Sequence, residues 1–130
     1  FGYQFKRYGI NSLIKRVLNF LHRNKMLATE GEQLYATPLG VRVSQLYIDP
    51  YSAKVILEGL HNKDKGSELA YLHLITCTPD MPKLYLRRGE REKYTVYAEE
   101  IFDELLIEPF TVLDDEEFGF FLSTIKITSL

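Results

Sequence analysis

The sequence predicts a mainly α-helical chain with one small β-hairpin, divided into two parts. Three observations carry that prediction. In most segments apolar residues recur at helical spacing. One stretch, "KMLATEGEQLYAT", instead reads as two short runs around a glycine. A polar, flexible stretch, "HNKDKG" (61–66), separates the helices of the two parts.

The first helix is predicted from Ile10, because Ile10, Leu13, Ile14, Val17, Leu18 and Leu21 share one face and Asn11 or Ser12 can cap it. Lys15, Arg16, Asn19, His22 and Arg23 occupy the opposite face. Gly31, between Glu30 and Glu32, permits the positive φ that a tight hairpin turn needs. A helix followed by a hairpin is the closing half of a winged-helix unit, whose earlier helices would lie in or before residues 1–8. Tyr3, Phe5 and Tyr8 interleave with Lys6 and Arg7, so they could stack on bases or belong to the core of a preceding helix.

Thr37-Pro38 opens the next helix, with Thr as cap and Pro in the first turn, and Leu39, Val43, Leu46 and Tyr47 as the expected buried stripe. Asp49-Pro50 repeats the device. Asp accepts from the orphan N–H groups, Pro lacks the N–H that would be orphaned, and the residue before Pro is pushed out of helical geometry. One helix therefore ends and another begins with no linker, a stiff corner rather than a catalytic site. Tyr51, Val55 and Leu60 are its expected apolar face. Ser67 caps "ELAYLHLIT", expected to be buried on most sides because seven of the nine residues from Leu69 to Cys77 are apolar. "TPDMP" (78–82) is rigid and non-helical. Tyr94, Tyr97, Ala98, Ile101 and Leu105 define one further helix face, and Phe118, Phe121, Leu122 and Ile125 another, with Asp114 and Glu117 placed as a capping box. The expected organisation is a winged-helix domain over 1–62 and the first helices of a helical bundle over 67–130, each cut at its outer end.

Charge is uneven. Residues 1–30 hold six basic side chains and one acid, residues 31–89 are near neutral, and residues 90–130 hold three basic and eleven acidic side chains. The basic end suits phosphates and the acidic end repels them; the plain alternative is two oppositely charged surfaces that aid solubility. One cysteine, Cys77, excludes an internal disulfide and fits a reducing cytoplasmic setting. No apolar run approaches a membrane span. The start "FGYQFKRYG", an amphipathic opening without an initiator Met, suggests a piece of a larger protein.

Catalytic signatures are missing: no G-x-x-x-x-G-K-[ST], no G-x-G-x-x-G, no H-E-x-x-H. "FTVLDDEEF" imitates a strand ending in paired acids that could hold Mg²⁺, but acids at a helix N-terminus account for it better. His73 and Cys77 are four apart and could share a zinc; with no second ligand pair, a neutral core His and a core thiol are preferred. No catalytic or metal-ligating residue is assigned. The candidate site is the face Lys15, Arg16, Asn19, His22 and Arg23, where Arg and Lys would neutralise phosphate and Asn and Arg could read base edges. The alternative is a solvated face, or one docked on an acidic neighbour.

Leu46-Tyr47-Ile48-Asp49-Pro50, Leu72-His73-Leu74-Ile75 and Thr78-Pro79-Asp80-Met81, in this order and followed by "DDEEFGFFLSTIKI", resemble the middle to C-terminal region of archaeal superfamily 2 Ski-two-like DNA helicases of the Hjm type. The resemblance runs through nearly the whole chain. It implies a parent 3′-to-5′ helicase of repair or fork processing, with ATP and Mg²⁺ held by RecA-like domains upstream and no cofactor in this segment. It also implies that the winged helix packs on those domains largely as a hinge, and that the bundle's ratchet helix lies beyond "FFLSTIKI". The expected partners are DNA and the RecA-like domains, with no membrane and a possible dimer through exposed apolar surface. A stand-alone winged-helix transcription regulator is the alternative function, and a protein-interaction module using the acidic bundle a third.

Overall fold

The computed structural model describes residues 2–62, 66–107 and 115–130, with backbone alone for 2–8. These form six α-helices and one two-stranded antiparallel hairpin. The chain divides between Pro50 and Tyr51 into two compact units.

In the first unit, α1 runs from Gly2 to Arg23. It starts earlier than the apolar spacing suggests: Gly9 sits inside the helix with open space around it, and a mid-helix glycine costs only about 1 kcal/mol relative to Ala. The expected caps Asn11 and Ser12 are therefore interior, and the side chains of Tyr3, Phe5 and Tyr8 lie outside the described residues. Lys25, at φ 58°, turns the chain out of α1, and Met26 N–H donates to Leu21 O at 2.9 Å. The hairpin follows, β1 (Leu27–Glu30) pairing β2 (Gln33–Ala36) in the register Leu27↔Ala36 to Glu30↔Gln33, with Gly31 at φ 62° in the turn.

Helix α2 (Pro38–Leu46) begins as its sequence dictates: Thr37 Oγ1 accepts from Gly40 N–H at 3.1 Å, and Pro38 occupies the first turn. That hydroxyl also donates to Lys25 O at 2.6 Å, tying α2 to the end of α1. Gly40 is required here, since a Cβ would run into the carbonyl of Met26. Met26 and Val43 are the buried apolar side chains among the described residues of this unit. The predicted stripe of α2 is thus only half right. Val43 is buried, whereas Leu46 is half exposed and Tyr47 projects into water from a left-handed backbone, φ 54°, just past the helix.

The second unit opens with α3 (Pro50–Asn62), beginning at the expected proline. Its buried residues are Ser52, Ala53 and Gly59, while Tyr51 and Leu60, expected on the apolar face, are about half exposed. Gly59 lies against the Leu74 side chain, and Asn62 Nδ2 donates to Leu106 O at 2.8 Å. Helix α4 (Glu68–Thr76) is capped by Ser67, whose Oγ accepts from Ala70 N–H at 3.2 Å and donates to Glu104 at 2.8 Å. It buries Ala70, His73, Leu74 and Thr76 but leaves Tyr71, Leu72 and Ile75 exposed, so it is one-sided rather than covered all round. Helix α5 (Glu90–Ile101) continues through a 3-10 turn, Phe102–Glu104, and α6 spans Asp115–Thr128. The capping box expected at Asp114 lies outside the described residues.

The core sits between α5 and α6: Tyr94, Ala98, Ile101, Leu105, Leu122 and Ile125 are buried together, with Phe118 and Phe121 packed against them. These are the stripes the sequence predicts for both helices. A second cluster, Ala70, Leu74 and Leu106, joins α4 to the chain after α5. Each fully buried Leu or Ile contributes about 1.5–3 kcal/mol by leaving water.

Candidate nucleic-acid interface

Lys15, Arg16, Asn19, His22 and Arg23 all lie on α1. At about 100° per residue they occupy roughly a third of the helix circumference. All five side chains are exposed. Asn11, Ser12, Lys15, Arg16 and Asn19 line one shallow concavity along that face. Among the described residues, no ion pair or side-chain hydrogen bond engages Lys15, Arg16 or Arg23. His22 and Arg23 fall in the last turn, where the carbonyl end of the helix favours positive charge. The hairpin leaves α1 directly after this cluster and is itself exposed along β2. The unit therefore presents a row of unneutralised cations with an adjoining β-finger, a surface suited to a polyanion. On the other side of α1, Ile10, Leu13, Ile14 and Val17 are about half exposed. The junction residues Asp49 and Pro50 lie at the end of this unit, where α3 begins.

A second polar group is buried in the second unit, where His73 and Cys77 take the core positions the sequence suggests and Thr124 joins them as a partner it does not announce. His73 is fully buried and its Nε2 lies 3.1 Å from Thr124 Oγ1. Thr124 donates its own proton to Phe121 O at 2.6 Å, so its oxygen accepts and His73 carries the proton on Nε2. Burial holds the imidazole neutral, lowering its pKa to about 4. Cys77 Sγ sits 3.8 Å from His73 Nδ1, and burial pushes the thiol up to about 11. Buried together, the neutral thiol and the imidazole bonded to a hydroxyl pack as part of the contact between α4 and α6. Among the described residues, no cluster of three or more His, Cys, Asp or Glu could hold a metal.

Residues 69–130, in the second unit, match the family described as archaeal helicase, domain 4. Among curated relatives, an ATP-dependent DNA helicase Hel308 from Methanocella arvoryzae is 41% identical over 98% of this chain. Proteins of the same description from Caldivirga maquilingensis and Methanocaldococcus jannaschii are 29% and 38% identical over 90% and 81% of it. The chain spans 18%, 16% and 8% of the length of these three relatives. Fold and matches together define a segment of an archaeal helicase. More closely, the chain belongs to the superfamily 2 helicases of the Hel308 type, the group to which its three motifs point. Among the described residues, no helix is long and apolar enough to cross a membrane.

Proposed function

We propose that this chain is a non-catalytic segment of a cytoplasmic, ATP-dependent 3′-to-5′ DNA helicase acting in repair or fork processing. In this reading residues 1–62 are a winged-helix domain and residues 67–130 begin the helical bundle. The segment supports DNA binding and couples the motor to the bundle, while RecA-like domains of the parent supply the ATP and Mg²⁺ chemistry. One observation carries the DNA contact: Lys15, Arg16 and Arg23 stand exposed on α1, with no carboxylate neutralising them among the described residues, directly before an exposed hairpin. Neutralising phosphate with such side chains releases counterions, so binding weakens steeply as salt rises.

The test is fluorescence anisotropy of a labelled DNA strand with the whole chain over a salt series. Replacing Lys15, Arg16 and Arg23 together by Ala should flatten the plot of log affinity against log salt by about 2 for a single strand, roughly 0.7 per lost phosphate contact. DNA retention unchanged by the triple substitution would instead favour a protein-docking role for this face. The chain alone should show no ATP hydrolysis above background, and a phosphate loop should be encoded upstream of Phe1.

A further inference from the structure

Residues 82–88 connect α4 to α5 without forming helix or strand. Their backbone is nevertheless pinned to α6. The Ser123 hydroxyl accepts from Leu84 N–H at 3.0 Å and donates to Leu84 O at 2.8 Å. Lys126 Nζ donates to Tyr85 O at 3.0 Å and to Glu90 at 2.7 Å, and Glu90 in turn accepts from Arg87 N–H at 2.6 Å. Leu86 packs on the core. From this fixed strap the Tyr85 side chain stands 94% exposed. Its ring makes no hydrogen bond or ring contact among the described residues.

Leaving an aromatic ring in water costs apolar burial, and holding its backbone rigid costs entropy. Here folding has already met both costs, so a planar partner would find a platform in place. Lys83, Arg87 and Arg88 lie within three residues of Tyr85 along the strap and are exposed. Lys83 Nζ also lies 3.9 Å from the centroid of Phe120, beside the strap. The nearby Glu90 carboxylate is taken up by Lys126.

We infer that the strap over residues 82–88 is a contact for single-stranded nucleic acid, with Tyr85 stacking on an unpaired base and Lys83, Arg87 and Arg88 taking the flanking phosphates. Stacking needs an open base face, which a duplex hides inside its helix, and cations beside an aromatic are the usual composition of a single-strand track. An acidic peptide would use the cations and leave the ring idle. The strap is separate from α1, and this inference stands or falls independently of the role given to that helix.

The experiment measures anisotropy of a fluorescein-labelled oligothymidine with the full 130-residue chain. Tyr85→Ala should weaken binding about tenfold, a typical cost for one base–aromatic stack, with the salt slope unchanged. Tyr85→Phe, which keeps the ring, should stay within about twofold. Arg88→Ala should flatten the salt slope by about 0.7. Unlabelled duplex should compete worse than unlabelled single strand, and the Tyr85 dependence should persist when Lys15, Arg16 and Arg23 are Ala. Equal affinity of Tyr85→Ala and the parent chain overturns the inference, as does a duplex that competes as well as the strand, or a parent chain that gives no signal at low salt. If Tyr85→Ala is silent while the α1 substitutions abolish binding, the strap reading fails and the α1 reading survives.

Discussion

The two units handle the same ingredients, apolar stripes and charged side chains, in opposite ways. In the second unit the stripes of α5 and α6 meet, and Leu105, Leu122 and Ile125 lose all contact with water. Two of its cations are matched as well, Lys126 on Glu90 at 2.7 Å and Arg91 on Asp115 at 2.9 Å, while Lys83, Arg87 and Arg88 stay exposed. In the first unit α1 carries an equally regular stripe, yet Ile10, Leu13, Ile14 and Val17 stay about half exposed. Lys15, Arg16 and Arg23 keep their charge open to solvent. The lesson is that periodicity identifies an amphipathic face, and only packing decides whether that face is core or surface. One unit closes its main apolar stripes on each other, and the other leaves its longest stripe half in water.

The comparison can be broken most sharply at the closed core. Leu122→Ala removes a fully buried side chain and should cost about 2–5 kcal/mol, read as a lowered urea midpoint. Hydrogen exchange followed by mass spectrometry should then quicken across α4 to α6 while residues 10–46 keep their protection; quickening in both regions would mean the units do not unfold separately. A smaller effect is expected from acid. His73 titrates at 6.5 when unfolded and near 4 when folded, so the unfolded chain binds the extra proton between those values. Stability is therefore complete above pH 6.5 and falls as pH drops toward 4, by about 3 kcal/mol at most. His73→Leu should remove this part of the acid limb in urea midpoints measured across that window. The smallest change belongs to the open face. Ile14→Ser on α1 should alter stability by no more than about 0.5 kcal/mol, because the side chain is already half in water. A large loss there would place Ile14 in a core and erase the contrast.

Much of the fold was legible because it is written in local chemistry. Thr37-Pro38, Asp49-Pro50 and Ser67 mark helix starts found within a residue of where they were expected, and Gly31 marks the hairpin turn. The stripes of α5 and α6 were legible too, since both faces found a partner. What could not be read was burial where no partner answers: Leu46, Tyr47, Leu72 and Ile75 fit apolar spacing and are exposed. The start of α1 was missed because Asn11 and Ser12 look like caps and are interior instead. That Lys15, Arg16, Asn19, His22 and Arg23 share one exposed face of α1 was legible from spacing alone. Tyr85 was not, because nothing in "KLYLRR" announces that Ser123 and Lys126, some forty residues away, pin its backbone while leaving its ring in water.

The contact between α4 and α6 has a mechanical consequence. His73 meets Thr124, and the Thr76 hydroxyl reaches both Thr124 O at 3.4 Å and Thr128 Oγ1 at 3.3 Å. Two greasy helices can creep along each other, because one methyl is as good a neighbour as the next. The bond from His73 to Thr124 acts as a detent. Sliding α6 by one turn, about 5.4 Å, would strand the buried imidazole N–H, while Thr76, Thr124 and Thr128 would keep the bonds they donate to carbonyls of their own helices. The pair is thus notched at a single setting, and a push on one helix has to move the other with it.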